Sequence, residues 1–219
     1  MELHEAVKGR KSIRAYKPDP VQRDVLEDIL KKALRVRVPV LIDEAYYGFC
    51  RHTACGLMGA YPNLIVARSF SKVTGMAGLR VGYAMSDPAV ISVLTKYRPM
   101  YEVNSIGIIF ALKILDNWHI AEEYGRDTIE GREHLVHFLS QMELKVIDTE
   151  TNFIHVDFGS RKDTILRALD AAGVLVRGML SIDGFENYTR ISVGPKDTME
   201  LVIGIIRSVM LEKHLNLSA

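Results

Sequence analysis

The segment VPVLIDEAYYGF, residues 38–49, sets an uncharged run directly against an acidic pair and two tyrosines. Five consecutive residues without a charge suit a buried strand, and Asp43 and Glu44 then stand at its end. The segment NLIVARSFSKVTGMAGLRVGY, residues 63–83, repeats the design: an apolar run closes at Ser69, Lys72 follows, and Arg80 comes eight residues later. The stretch SKVTGMAG, 71–78, is too glycine-rich for an element interior. RVGYAM, 80–85, reads as a third strand.

Outward from this centre the pattern alternates. Upstream, residues 18–36 read as a helix, with Asp19 as N-cap, Pro20 at the first helical position and an apolar face of Val21, Val25, Leu26, Ile29, Leu30, Ala33 and Leu34. Downstream, Asp87-Pro88 opens a helix to about Arg98. An apolar helix spans about 104–118, with Trp118 ending it, and a long amphipathic helix spans about 120–142. Strands at 144–148, 153–158, 174–177 and 189–193 alternate with helices at 161–172 and 196–213. Alternating strands and helices imply α/β layering with a mostly parallel sheet, followed by an α+β unit. Texture and charge divide the chain into a basic segment 1–37, a unit 38–118 and a C-terminal unit 119–219. Residues 1–37 carry 10 Lys/Arg against 6 Asp/Glu, the remainder 18 against 21.

Composition excludes several classes. With 48% hydrophobic and 25% charged residues, the 219-residue chain is neither disordered nor low-complexity. A balance of 28 basic to 27 acidic residues calls for neither a nucleic acid nor an anionic membrane. MELHEAVKGRKSIRAY, 1–16, has no apolar core of a signal peptide, and no window has the ~18 apolar residues of a transmembrane helix. Cys50 and Cys55 lack zinc-ligand spacing and read as buried thiols of a cytoplasmic protein. His134 and His137 share a helical face without further ligands, so no metal is expected. Met76, Met85, Met100 and Met179 read as packing residues, and Glu122, Glu123 and Glu130 as a solvated helix face.

Three features carry chemistry. A lysine just past a buried strand stands where α/β sheets bind ligands, and burial makes its amine a nucleophile. Ser69, Ser71 and Arg80 around Lys72 offer a phosphate cradle. Amine and cradle together are what pyridoxal phosphate (PLP) requires. Taken alone, Lys72 also fits a surface loop. Asp43, an acid at a strand end, is costly unless a cation such as a pyridinium pairs with it. Tyr46, three residues on, offers a phenol to the cofactor's 3′-oxygen. By themselves these two read more simply as a helix cap and a packing ring.

The motifs VLIDEAYYGF, ARSFSKVTGMAGLRVGY, TNFIHVDF, GVLVRG and TRISVG, in that order, resemble fold-type I PLP enzymes of aminotransferase class I/II. The pattern is most similar to histidinol-phosphate aminotransferase and threonine-phosphate decarboxylase, over residues 38–213. The resemblance implies part of a PLP-dependent transferase fold and a catalytic set of Lys72, Asp43 and Tyr46. Lys72 matches the lysine that bonds PLP, Asp43 the acid on the pyridine nitrogen, and Tyr46 the partner of the 3′-oxygen. Ser69, Ser71 and Arg80 match the phosphate binders. Arg190 matches the arginine for the substrate carboxylate, a contact suited to a planar fork. Arg177 matches a second arginine, used for a distal phosphate; it fits a solvated strand end as well. Asn152 fits a turn near the site. Amino-acid and keto-acid substrates and a homodimer follow from the family; decarboxylation, or a non-catalytic dimerising module, are the alternatives.

The family reaches its DEAY motif near mid-chain, whereas here it begins at Asp43. The glycine-rich loop, the ring-stacking aromatic and the Asn-Pro-rich segment of the family have no counterpart. Residues 9–34, GRKSIRAYKPDPVQRDVLEDILKKAL, instead resemble the start of an FMN-dependent nitroreductase, where Arg10, Ser12 and Arg14 match binders of the flavin phosphate.

Overall fold

The computed structural model describes residues 23–36, 38–50, 52–100, 102–178 and 185–215. Asp19, Pro20, Met179 and the nitroreductase-like Arg10, Ser12 and Arg14 lie outside them.

Helix α1 (Arg23–Arg35) leads into a three-stranded sheet of β1 (Val40–Asp43), β2 (Leu64–Ser69) and β3 (Gly82–Ser86), in the order β1-β2-β3. β1 runs parallel to β2, with Val40 opposite Leu64 and Asp43 opposite Ala67. β3 is antiparallel to β2. The sheet expected to be mostly parallel thus holds one pairing of each kind, because β3 returns directly through the loop 70–81 and has no crossover helix. β2 is the buried centre: Leu64 and Val66 are fully covered, and Leu30 and Leu34 of α1 pack on them. β1 is an edge strand among the described residues, and Leu41 on its outer face is 62% exposed. Val25 and Ile29, expected to pack, are likewise open.

Helix α2 (Pro88–Thr95) is capped by Asp87, whose Oδ1 accepts the Ala89 N–H at 2.8 Å. It ends at Thr95, three residues before the expected Arg98, and tight turns follow. Helix α3 (Ser105–Asp116) is capped by Asn104, whose Oδ1 accepts the Gly107 N–H at 2.7 Å. Trp118 does not close that helix. It opens the next one, α4 (Trp118–Gln141), because the backbone at Asn117 leaves the helical region (φ −126°, ψ 41°). Met76 and Met85 pack as expected, whereas Met100 is 85% exposed. Cys50 and Cys55 are half-buried rather than buried.

The second sheet orders β4 (Lys145–Ile147), β5 (Phe153–Asp157) and β6 (Tyr188–Ser192), all antiparallel. Helices α5 (Lys162–Ala171) and α6 (Lys196–Leu215) cover one face. Ile154, Val156 and Ile191 point into that layer against Leu135, Leu139, Ile165 and Ile203, all fully buried. The period of two then sends Phe153, His155 and Arg190 to the opposite face. The expected strand 174–177 contracts to a single bridge, Arg177 with Arg190. Val174 instead donates its N–H to Leu169 at the end of α5, so no ladder extends through it.

Helix α4 joins the two sheets. Its C-terminal half, Leu135 to Leu139, enters the second core. Its N-terminal half lies on the loop after β1, where Ala121 packs with Phe49 and Val73. The approach is closest at Gly125, where an added Cβ would sit 2.4 Å from the Gly48 carbonyl oxygen. Gly48 itself has φ +101°, a region glycine reaches without strain. No helix of the described residues is long and apolar enough to cross a membrane.

Gly125→Ala is therefore expected to destabilise the chain by about 1–3 kcal/mol through overpacking, despite alanine's better helix propensity. Chemical denaturation measures it; an unchanged or higher midpoint contradicts the close approach.

Candidate active site

The site assembles where the parallel pair β1-β2 ends. Asp43 closes β1, and the Glu44 N–H continues the ladder to the Ala67 carbonyl at 2.8 Å. Both strands thus deliver their C-terminal loops to one end of the sheet. That end is the usual ligand position in open α/β sheets.

Burial at this end falls on Glu44 rather than on Asp43. Asp43 is exposed, and its Oδ1 accepts the Ala45 N–H at 2.9 Å, a turn-forming contact. Glu44 has a side chain only 8% exposed and lies 3.0 Å from the Arg68 guanidinium, itself 12% exposed. The Glu44 carboxylate also accepts from the Thr53 hydroxyl and from the Ala54 N–H at 2.6 Å. Arg68 donates to Thr53 Oγ1 at 2.8 Å and Cys55 Sγ at 3.2 Å, and its guanidinium lies 3.3 Å over the Tyr47 ring. Burial alone would lower the Arg68 pKa, but bonds to Tyr83 and Glu44 outweigh it and hold the group above the ordinary arginine value. Tyr47 stacks in turn on Trp118 at 6.1 Å. This network pins the loop after β1. The residue types Glu, Arg and Thr carried no sign of it in the sequence, since their partners are up to 24 positions apart.

On that loop Tyr46 is half-buried in a turn closed by Tyr47 N–H to Glu44 at 2.9 Å and Phe49 N–H to Tyr46 at 3.1 Å. The Lys72 Nζ lies 5.0 Å from the centre of the Tyr46 ring. Lys72 is half-buried, and among the described residues its ammonium has no hydrogen bond and no ion pair. Ser69 Oγ accepts the Ser71 N–H at 3.0 Å, bending the chain just ahead of the lysine. Thr74 Oγ1 caps the same loop on the Phe70 carbonyl at 2.5 Å. Arg80 has a left-handed backbone (φ 56°), is exposed, and donates to the Ala77 carbonyl of its own loop at 3.2 Å.

At Phe153 the second sheet meets this loop. Phe153 lies edge-on to Tyr46 at 5.7 Å, and the Arg190 guanidinium sits 5.0 Å from the other ring's centre, that of Phe153. Lys72, Tyr46, Phe153 and Arg190 thus form one continuous chain of ring and cation contacts between the two sheets. Arg177 joins at the backbone, exchanging two hydrogen bonds with Arg190 at 3.1 and 2.9 Å, and its side chain is exposed. Asn152 accepts the Val193 N–H at 2.8 Å through its backbone oxygen, as a turn residue beside the site. Phe153 and His155 escaped the sequence reading, although the strand's period of two marked both as facing away from the core. His155 is held below the ordinary histidine pKa, first by burial and second by the positive charge of Arg190.

Two outcomes follow. Arg68→Ala leaves the Glu44 carboxylate buried without its cation and is expected to cost about 3–5 kcal/mol in denaturation; a cost under about 1 kcal/mol contradicts the pairing. For His155, the unfolded chain binds a proton more readily than the folded one. Stability should fall as pH drops through the ordinary histidine value towards the lowered one, and rise as pH increases. Melting curves of His155→Phe should lack that portion of the slope.

The sequence matches the family Aminotransferase class I and II over residues 20–206. Histidinol-phosphate aminotransferase of Thermoanaerobacter pseudethanolicus is 33% identical over 186 residues, covering 84% of this chain and 52% of that protein. The enzyme of the same name from Carboxydothermus hydrogenoformans is 31% identical over 203 residues, covering 88% of this chain and 58% of that protein. The crystal structure of histidinol-phosphate aminotransferase from Sinorhizobium meliloti in complex with pyridoxal-5′-phosphate superposes with a TM-score of 0.67 at 26% identity, covering 84% of this chain and 53% of that one. L-threonine-O-3-phosphate decarboxylase of Porphyromonas gingivalis shares the fold at 20% identity and a TM-score of 0.67, covering 88% of this chain and 61% of that one. The chain spans about half the length of the curated relatives it matches. Ordered motifs, sheet topology and relatives agree: this chain belongs to the aminotransferase class I and II family.

Proposed function

We propose that the residues around Lys72 hold pyridoxal phosphate, and that the chain serves a PLP-dependent aminotransferase acting on an amino acid or an amino-acid phosphate ester. The observation that carries this reading is the Lys72 ammonium: half-buried, 5.0 Å from the Tyr46 ring, and without a hydrogen bond or ion pair among the described residues. An amine in that state suits a carbonyl ligand. The donor set around it suits the remainder of the cofactor. Ser69 and Ser71 offer hydroxyls and Arg80 a guanidinium to a phosphate. Asp43, exposed at the strand end, would hold a proton on the pyridine nitrogen, and the Tyr46 phenol would donate to the 3′-oxygen. The name of the Thermoanaerobacter relative and the PLP in the Sinorhizobium structure support the assignment.

Each remaining role falls to a residue of this chain. Arg190 orients the amino acid by a bidentate grip on its carboxylate, with the Phe153 ring 5.0 Å from the guanidinium. Arg177, beside it, receives a second negative group such as a distal phosphate. The Lys72 amine, when free, would take the proton from the substrate's Cα as general base. When bound, the cofactor supplies an electron sink for the charge left at Cα. Residues 38–118 would then belong to the cofactor-binding unit and 119–219 to the smaller unit, with 1–37 as a basic N-terminal segment.

We infer a homodimer as the partner arrangement. The outer face of α3 supports it, with Ile106 61%, Ile109 59% and Phe110 55% exposed. Beside that face an open groove of about 940 Å³ runs over Phe70, Val81 and Ala111. The free thiols Cys50 and Cys55 support a cytoplasmic setting.

The test is a titration of the purified chain with PLP. A visible absorption band is expected, together with a mass gain on Lys72 after borohydride reduction; both should vanish in Lys72→Ala. A folded protein that shows no band overturns the cofactor assignment and leaves a non-catalytic binding module. If turnover is obtained, Arg190→Lys should raise KM for the amino acid by roughly 10–100-fold, the loss of one bidentate contact of about 1.5–3 kcal/mol.

A further inference from the structure

The register of the second sheet sets three basic side chains in a row. Residues directly opposite in an antiparallel pair project from the same face. His155 on β5 stands opposite Arg190 on β6, and Arg190 stands opposite Arg177. The row occupies the face turned away from the helices. Arg190 lies over Phe153, and the His155 ring meets the same Phe153 at 5.3 Å. Phe185 walls the other side of His155 at 6.1 Å. The row therefore flanks the chain of contacts that leads through Tyr46 to Lys72.

Among the described residues, none of His155, Arg190 and Arg177 has a side-chain hydrogen bond or ion pair with another protein group. Among the described residues of the sheet, Arg190 is the charged side chain directly opposite His155. On β5 its same-face neighbours are Phe153 and Asp157, and the Asp157 carboxylate is turned to its own loop, accepting the Gly159 N–H at 2.8 Å. On β4 the residue opposite His155 is Ile147, with Lys145 opposite Asp157. On β6 stand Arg190 and, beside it, Tyr188, whose ring lies tilted against Phe185 at 5.0 Å. Protonation of the imidazole is resisted first by burial and second by the positive field of Arg190. A bound oxyanion reverses that field.

We propose that His155 is a substrate-binding residue: with Arg190 and Arg177 it receives an oxyanion, and it takes up a proton as the oxyanion binds. The inference rests on the reading above for the identity of that ligand as the substrate. The physical cycle is closed. The neutral imidazole spares the row three adjacent like charges, and an incoming anion supplies the compensation that protonation requires. Affinity for the anion then increases as pH falls, opposite to the usual weakening of an arginine site when a carboxylate ligand becomes protonated.

Sulfate is the probe, because its charge does not titrate in the histidine range. Carbon-13 histidine labelling gives the His155 resonance, assigned by its loss in His155→Gln. Saturating sulfate is expected to raise the His155 pKa by about one unit, so sulfate binds about tenfold more tightly near pH 5 than near pH 8. The His155→Gln protein should lose that dependence and keep the weaker binding of the arginines. Methyl phosphate and acetate, compared at fixed pH, separate a phosphate-ester from a carboxylate ligand. A His155 titration unmoved by sulfate, absence of sulfate binding, or an equal pH dependence in His155→Gln overturns the proposal. Chain that takes up no PLP yet shifts His155 with sulfate keeps the row and removes the aminotransferase reading. Chain that takes up PLP with His155 unmoved does the reverse.

Discussion

The Glu44 carboxylate and the Arg68 guanidinium leave water together at the end of the β1-β2 pair. Burial of either alone would cost several kcal/mol. Together, with Thr53, Ala54, Cys55 and the Tyr47 ring filling their remaining valences, they form a closed network. That network fixes the direction in which the chain leaves β1. Tyr46 lies inside the fixed loop, so its ring is held where Lys72, arriving from β2, passes over it. Without the ion pair, the loop would have neither its path nor a reason to cover Tyr47 against Trp118.

A second constraint connects the two sheets. Helix α4 touches both cores, and its glycine at 125 brings the helix to within van der Waals reach of the loop held by Glu44. The C-terminal half of the helix carries the second sheet. One rigid element therefore sets the distance between Lys72, on the loop after β2, and Arg190 on β6. Phe153 fills the space between them, touching Tyr46 with its edge and Arg190 with a face. The helix and the phenyl ring thus set the separation between the Lys72 amine and the Arg190 guanidinium.

Much of this was legible from order along the chain. The apolar runs before Asp43 and before Ser69 marked strand ends, and Asp87-Pro88 and Asn104 marked helix starts. Lys72, Tyr46, Arg190 and Arg177 carried family motifs and do gather on one surface. Other features were not legible. A burial argument made Asp43 the costly acid, yet burial fell on its neighbour Glu44, since the pleat and the turn decide which of two adjacent acids faces inward. VLVR at 174–177 had strand composition, but Val174 closed the end of α5, and one bridge remained. Trp118 looked like the end of an apolar helix; a break at Asn117, one residue earlier, made it a beginning.

What the sequence by itself determined was the alternation of strands and helices, the family motifs and the placing of the acid at a strand end and the lysine just past one. These are properties of short windows, where period, capping and composition act locally. Only the tertiary structure decided which acid is buried, which glycine the long helix needs, and that Phe153 and His155 share a face with Arg190. Those outcomes depend on register between strands and on contacts between residues far apart in the chain. A one-residue slip in register would turn the same side chains to the opposite face.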